Sequence, residues 1–276
     1  MPRYLVFFCV STVLTLFMLS CQKETVTEIN LEPILQTVSS DSWQRLAQKR
    51  IYFGHQSVGS NIVQGINEVA HVYQFVKLNV VEGNSLTLFD TPVFAHSKAG
   101  ENKDPKSKTQ ALIQLMTRGL GEKVDVVLLK FCYVDINQDS DVVAIFSDYK
   151  QMINDMKKHF PKTHFIPVTV PLRVVQTGIK VPLKRLMGRP IGGYDDNVAR
   201  NRFNDLVRGE LSGETPVFDL AAAEATDLQG NVFQFTTHGK SYEALLPDFT
   251  QDGGHLNENG RKIVAARLLV FLANLP

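Results

Sequence analysis

From Ser42 onward the chain alternates short apolar runs with stretches in which apolar residues recur three or four positions apart. The first pattern predicts strands, the second helices packed by one face. Residues 50–53 form a short strand ended by Gly54, and Val58, Ile62, Ile66 and Val69 place a helix directly behind it. Residues 75–81 read as a second strand, 83–105 as a long loop, and 106–118 as a helix ending near Gly119 and Gly121. The unbroken apolar run at 124–129 suits a central parallel strand buried on both faces. A helix over 141–159 stops before Pro161, and 164–170 is the next strand. Three prolines and four glycines make 171–194 an irregular insertion. A helix at 195–211, a short strand at 216–220, a loop over 226–251 and a final amphipathic helix at 258–273 complete the chain.

Alternating strands and helices predict one α/β domain, a three-layer α/β/α sandwich around a mainly parallel sheet of about five strands, flavodoxin-like in type. Ligands of such sheets bind outside the carboxyl ends of the strands. The informative loops are therefore those after Phe53, after Val81, after Leu129 and before the final helix.

Composition narrows the function classes. The 276 residues are 44% hydrophobic and 21% charged, which excludes collagen-like, low-complexity and broadly disordered chains. A formal net charge of +1 creates no field that would recruit nucleic acid, and no nucleic-acid partner is expected. No histidine lies in an H-x-H or H-E-x-x-H pattern, so no metal site is expected, and no nucleotide motif is present.

The front of the chain has its own logic. Arg3 precedes an apolar run that stops at Ser20, followed by Cys21-Gln22-Lys23-Glu24, the layout of a secretory signal. Met18-Leu19-Ser20-Cys21 resembles a bacterial lipobox. That resemblance implies a signal peptide over 1–20, an acylated Cys21, and a lipid-anchored protein of the cell envelope facing the periplasm or the cell exterior. Residues 21–41 then read as lipid attachment and polar tether, and 42–276 as the domain. Loss of residues 1–20 leaves Cys132 as the one thiol besides Cys21, so no structural disulfide is expected; Cys132 reads as a buried small apolar residue.

Two loops carry candidate chemistry. In Phe53-Gly54-His55-Gln56-Ser57-Val58-Gly59 a strand runs straight into a helix. Ser57 there is either an N-cap or an exposed nucleophile next to the unpaired N–H groups of a helix N-terminus. In Asp252-Gly253-Gly254-His255 a carboxylate three residues before an imidazole either caps a turn or fixes the tautomer of a general base. Lys103, Lys106 and Lys108 read as a basic cluster that is either solvated or used by a site facing an anionic saccharide, His159 and His164 as solvated. Lys130 reads as a lysine at the sheet's carboxyl edge or a snorkelling one.

Together, a serine after the first strand and D-x-x-H before the last helix resemble the SGNH (GDSL-like) hydrolase superfamily over about residues 51–273. Asp252 to Gly260, Asp-Gly-Gly-His-Leu-Asn-Glu-Asn-Gly, is the most specific part. The resemblance implies Ser57 as nucleophile, His255 as general base and then acid, and Asp252 as its orienting partner. It implies an oxyanion hole from the N–H groups of Ser57 and Gly100 in Ala99-Gly100-Glu101-Asn102. Two blocks depart from the family pattern. Gly-Asp-Ser has become His-Gln-Ser, and Val134 replaces the asparagine of Gly-x-Asn-Asp ahead of Asp135. Asn102, Asn137 or Tyr133 is then the candidate third donor, and His55, Gln56, Tyr133, Asp135 and Asn137 are candidate substrate contacts.

The resemblance and the envelope address imply a cofactor-free serine ester hydrolase removing a small acyl group, such as O-acetyl, from a carbohydrate or small-molecule ester. An acyltransferase using the same residues and a non-catalytic glycan-binding lipoprotein are the alternatives. The altered blocks favour the last.

Overall fold

The computed structural model describes residues 29–276. The expected signal peptide and Cys21 lie outside the described residues. The first half of the domain runs α1 (Glu32–Leu35), α2 (Ser40–Ala47), β1 (Arg50–His55), α3 (Ser57–Val72), β2 (Val80–Glu82) and β3 (Val93–Lys98). It continues with α4 (Pro105–Thr117), β4 (Val126–Leu129), α5 (Val142–His159) and β5 (His164–Pro167). The last part comprises α6 (Lys180–Leu186), α7 (Tyr194–Leu211), α8 (Leu220–Ala225), β6 (Gln234–Thr237), β7 (Lys240–Glu243) and α9 (Glu258–Ala273).

β1 to β5 form one parallel sheet in the order β2-β3-β1-β4-β5. Tyr52, Ala95, Val127, Leu129 and Phe165 join Leu112, Phe146, Tyr149 and Phe203 from α4, α5 and α7 in one buried cluster. Their neighbours Ile51, Phe53, Phe94, Leu128 and Ile166 are equally buried and, by strand alternation, face the opposite layer. There α3 and α9 pack directly on each other. The three-layer α/β/α architecture is the one the alternating pattern predicts.

The individual strands differ from the expected ones. The second strand shrinks from 75–81 to Val80–Glu82, while β3 lies inside the stretch expected to be loop. β3 is interior, paired with β1 on one side and β2 on the other. Its polar end, His96-Ser97-Lys98, breaks the apolar run by which a strand is recognised. The expected strand at 216–220 reduces to a single bridge, Val168 to Phe218, before α8 begins. The stretch expected to be loop at 226–251 contains the antiparallel pair β6–β7. Residues 31–41, read from sequence as tether, belong to the domain. Leu31, Leu35 and Val38 are buried, and Leu31 N–H donates to the Tyr73 hydroxyl at 2.9 Å.

The α3–α9 contact depends on Gly65, where an added Cβ would sit 2.3 Å from the Arg261 carbonyl oxygen. Arg261 donates to both oxygens of Glu68 at 2.9 and 3.1 Å across the same seam. Gly65→Val is expected to destabilise the domain by about 1–3 kcal/mol through overpacking. Urea unfolding monitored by circular dichroism measures this, and an unchanged midpoint would mean the seam yields.

Candidate active site

In the sheet order, β1 is flanked by β3 and β4, so the chain turns to opposite sides of it. Such a switch point leaves a crevice at the carboxyl ends of the strands. Three loops meet there: β1 into α3 with Ser57, the loop after β3 with Gly100, and the loop after β4 with Cys132 to Asp135.

Ser57 is the first residue of α3, behind an N-cap Gln56 in extended conformation. Its hydroxyl caps no backbone amide, which removes the N-cap alternative; its contact is Cys132 Sγ at 3.8 Å. Among the described residues neither Ser57 N–H nor Gly100 N–H has a hydrogen-bond partner; the first N–H groups of a helix have none within it. Cys132 is buried, as the sequence suggests, and in addition faces the serine.

Gln56 and His55 serve the framework. Gln56 Nε2 donates to the carbonyls of Ala99 at 3.2 Å and Gly100 at 2.6 Å, fastening the β3 loop to the start of α3. His55 is buried, and desolvation lowers its pKa to about 3, keeping the ring neutral. Its Nδ1–H donates to the Gln56 carbonyl at 3.0 Å. Nε2 is then the acceptor for His96 Nδ1–H at 3.1 Å. Both residues were candidate substrate contacts; the structure occupies them with protein partners.

Asp135, another such candidate, is also part of the framework. It is buried, with Oδ1 accepting from Lys103 N–H at 2.8 Å and Oδ2 from Cys132 N–H at 2.6 Å and from the Lys108 ammonium. Lys108 is therefore not solvated as expected but fully buried, and it also donates to Asn102 Oδ1 at 3.2 Å. Asn102 is exposed, with its amide nitrogen free to donate. Asn137 accepts from Asp139 N–H at 2.8 Å, closing its own turn. Lys130 does not snorkel; it follows β4 directly, at the sheet's carboxyl edge beside the loop of Cys132. It is buried, donating to the Phe131 carbonyl at 3.0 Å. Glu224 is buried as well, and one of its oxygens has no partner. Desolvation pushes both groups toward their neutral forms.

The Asp252–His255 turn is fully formed. Asp252 Oδ1 accepts from the backbone N–H of Gly254 at 2.9 Å and of His255 at 2.8 Å, while Oδ2 stands 2.6 Å from His255 Nδ1. The two readings of this carboxylate thus hold together, one oxygen capping the turn and the other engaging the imidazole. These hydrogen bonds hold Asp252 far below the usual carboxylate range, so it is ionised and His255 Nδ1 carries the donated proton. Gly253 has φ +83, a conformation that L side chains rarely adopt.

Tyr133 and Arg173 complete the wall. The Tyr133 hydroxyl lies 3.5 Å from His255 Nε2, and its ring meets the imidazole edge-on. Arg173 lies over the same ring at 5.3 Å and donates through Nε to the Gly253 carbonyl at 3.2 Å. Arg200 Nε donates to the Tyr133 carbonyl at 2.8 Å. Leu256 N–H donates to Asn61 Oδ1 at 3.2 Å, docking the histidine turn one helical turn beyond Ser57. Ser57 and His255 are thus brought to the same end of α3, yet their side chains share no hydrogen bond. Sequence reasoning missed Arg173, Arg200 and Asn61. Asn61 had a signal, since four positions after Ser57 it occupies the same helix face; the arginines had none. Among the described residues, no three of His, Cys, Asp and Glu stand together as a metal site.

The pair Lys108–Asp135 generates a test. Lys108→Met leaves a buried carboxylate without its cation and is expected to cost about 3–5 kcal/mol in chemical denaturation. Adding Asp135→Asn is expected to recover much of that loss; equal losses in single and double variants would mean the ion pair is not what the loops depend on.

No family model matches the chain, and no curated protein is similar to it at a significant level. Solved structures are. A Streptococcus pneumonia protein provisionally described as a platelet activating factor is 16% identical, with 88% of this chain and 96% of that one covered and a TM-score of 0.48. A GDSL-like lipase from Bacteroides thetaiotaomicron is 14% identical over 83% of this chain and 92% of its own, with a TM-score of 0.46. The periplasmic domain of a lipopolysaccharide acetyltransferase from Salmonella ser. Paratyphi A is 12% identical over 87% and 95%, with a TM-score of 0.35. Likenesses this distant assign no residue a role, and the site stands on its own geometry.

Proposed function

We propose that the protein is a serine-dependent carboxylic ester hydrolase of the SGNH type, acting on a small acyl ester of a carbohydrate or similar alcohol. The observation that carries this reading is the 2.6 Å contact of Asp252 with His255 Nδ1. It leaves Nε2 as the basic nitrogen at the end of α3 where Ser57 begins the helix.

In this reading Ser57 Oγ attacks the acyl carbonyl as His255 Nε2 takes its proton. The N–H groups of Ser57 and Gly100 receive the tetrahedral oxyanion, and Asn102 is the candidate third donor through its free amide. His255 then protonates the leaving alcohol, and water, activated by the same nitrogen, releases the acid. Closing the Ser57–His255 gap on substrate binding is part of the proposal, since catalytic hydrogen bonds are often long or poorly aligned without substrate. The Tyr133 hydroxyl, 3.5 Å from Nε2, is the group that substrate would displace. The missing Ser57–His255 hydrogen bond is also what favours the second reading, a glycan-binding protein without turnover.

A fluorophosphonate probe with peptide mapping separates the two. An adduct on Ser57, lost in Ser57→Ala and in His255→Ala, is expected for the hydrolase, whereas a well-folded protein without adduct would point to binding alone. On an aryl acetate, Asp252→Asn is expected to lower kcat by about 10⁴ through the wrong tautomer. Retention of most activity in any of the three variants would overturn the assignment.

The envelope address rests on the sequence around Cys21, and we propose it alongside the activity. Metabolic labelling with an alkyne-bearing fatty acid is expected to tag the wild-type chain and not Cys21→Ser. Equal labelling of both would remove the lipid from Cys21.

A further inference from the structure

The insertion between β5 and α7 presents an apolar face to solvent. Ile179, Leu183, Leu186 and Met187 are 93%, 58%, 85% and 52% exposed. Ile179 and Met187 flank α6 with near-helical backbone, so the four lie at helical spacing. At 3.6 residues per turn they share one stripe about 100° wide, with Val181 on the opposite side. Val181 is buried and packs with Val175, Tyr194, Phe235 and Ala244. The helix is therefore fixed to the domain by one apolar face while a second, wider one stays bare.

The charge carried by the insertion itself is of one sign. Residues 173–194 contain Arg173, Lys180, Lys184, Arg185 and Arg189 and no Asp or Glu. Among the described residues none of the five makes an ion pair. Lys184 donates to Gln176 Oε1 at 2.7 Å and Arg185 to the Thr236 carbonyl at 2.9 Å, both neutral acceptors that leave the cations uncompensated. The nearest acids along the chain, Asp195 and Asp196, open α7; Asp195 lines the same surface pocket as Arg185 and Arg189, one carboxylate beside two guanidinium groups.

We infer that α6 and its flanks form a docking surface for an anionic lipid bilayer, with the apolar stripe entering the acyl boundary and the surrounding cations on the headgroups. Apolar residues with a basic border are what such a surface requires. A second copy of the chain is disfavoured as occupant, because a two-fold contact would set the same cations against one another. Among the described residues no helix is long and apolar enough to cross a membrane, so the contact is interfacial. The insertion is stitched to the candidate site at its base, where Val174 N–H and Arg173 Nε both donate to the Gly253 carbonyl at 3.1 and 3.2 Å. Docking thus holds the wall of the crevice at the lipid surface. The inference goes beyond the ester chemistry and stands whether or not Ser57 is a nucleophile.

The test places a reporter on the stripe. Leu186→Trp in the full chain is mixed with phosphatidylcholine vesicles, with and without phosphatidylglycerol, carrying brominated acyl chains; the wild-type signal from Trp43 is subtracted. Because the reporter reads local depth, attachment through residues 1–21 does not produce the signal by itself. With phosphatidylglycerol, a blue shift and quenching that weaken with added salt are expected. Adding Lys180→Glu and Arg189→Glu is expected to cut the quenching about tenfold. Unshifted, unquenched emission overturns the proposal, as does equal quenching in pure phosphatidylcholine. A concentration-dependent blue shift without vesicles would assign the face to a second copy instead and overturn it equally.

Discussion

One buried carboxylate holds the two loops on which the candidate site depends. Asp135, itself buried, takes backbone N–H groups from Cys132 and Lys103 and the buried ammonium of Lys108. A charge in that position persists only with partners on every side. Meeting this requirement fixes the loop after β4 against the loop after β3. Cys132 is thereby set against Ser57, while Gln56 ties the β3 loop to the start of α3 through the Gly100 carbonyl. The departures at the Gly-Asp-Ser and Gly-x-Asn-Asp blocks gain a physical meaning here. His55 and Asp135 are committed to holding loops; under the proposed reaction, donation to an oxyanion would fall to backbone N–H groups and Asn102.

The histidine side of the crevice is built by a separate set of interactions. Asp252 organises its own turn through two backbone amides before it reaches the imidazole. Tyr133, held by Arg200 from behind and covered by Arg173, closes the far side of that turn. An added Cβ on Gly254 would lie 3.0 Å from the Tyr133 ring and 3.1 Å from Arg173 Nε, so the turn is clamped as well as hydrogen-bonded. The serine side and the histidine side meet through Leu256 on Asn61 and through Tyr133 beside His255, not through a hydrogen bond between Ser57 and His255.

The insertion after β5 ties this crevice to the surface. Its first residues bond the Gly253 carbonyl, and its helix carries the exposed apolar stripe. Anything that seats the stripe at a boundary also orients the histidine turn relative to it. Under the proposed envelope address and activity, that coupling would orient the site toward a substrate presented at a surface, and orientation is a large part of what a preformed site contributes to rate.

The sequence by itself determined the α/β layering, the five long helices α3, α4, α5, α7 and α9, and the two loops that carry candidate chemistry. These rest on interactions within a few residues: helical spacing in Val58, Ile62, Ile66 and Val69, and the i to i+3 reach of Asp252 to His255. Tertiary structure decided the rest. β3 is a strand because β1 and β2 flank it, although His96-Ser97-Lys98 reads as loop. Residues 31–41 fold because Leu31 and Leu35 find buried places, although their neighbours are polar. Lys108, which by composition belongs in water, is buried because a carboxylate 27 positions away waits for it. Pairings across such separations depend on how the sheet assembles, and no local pattern encodes them.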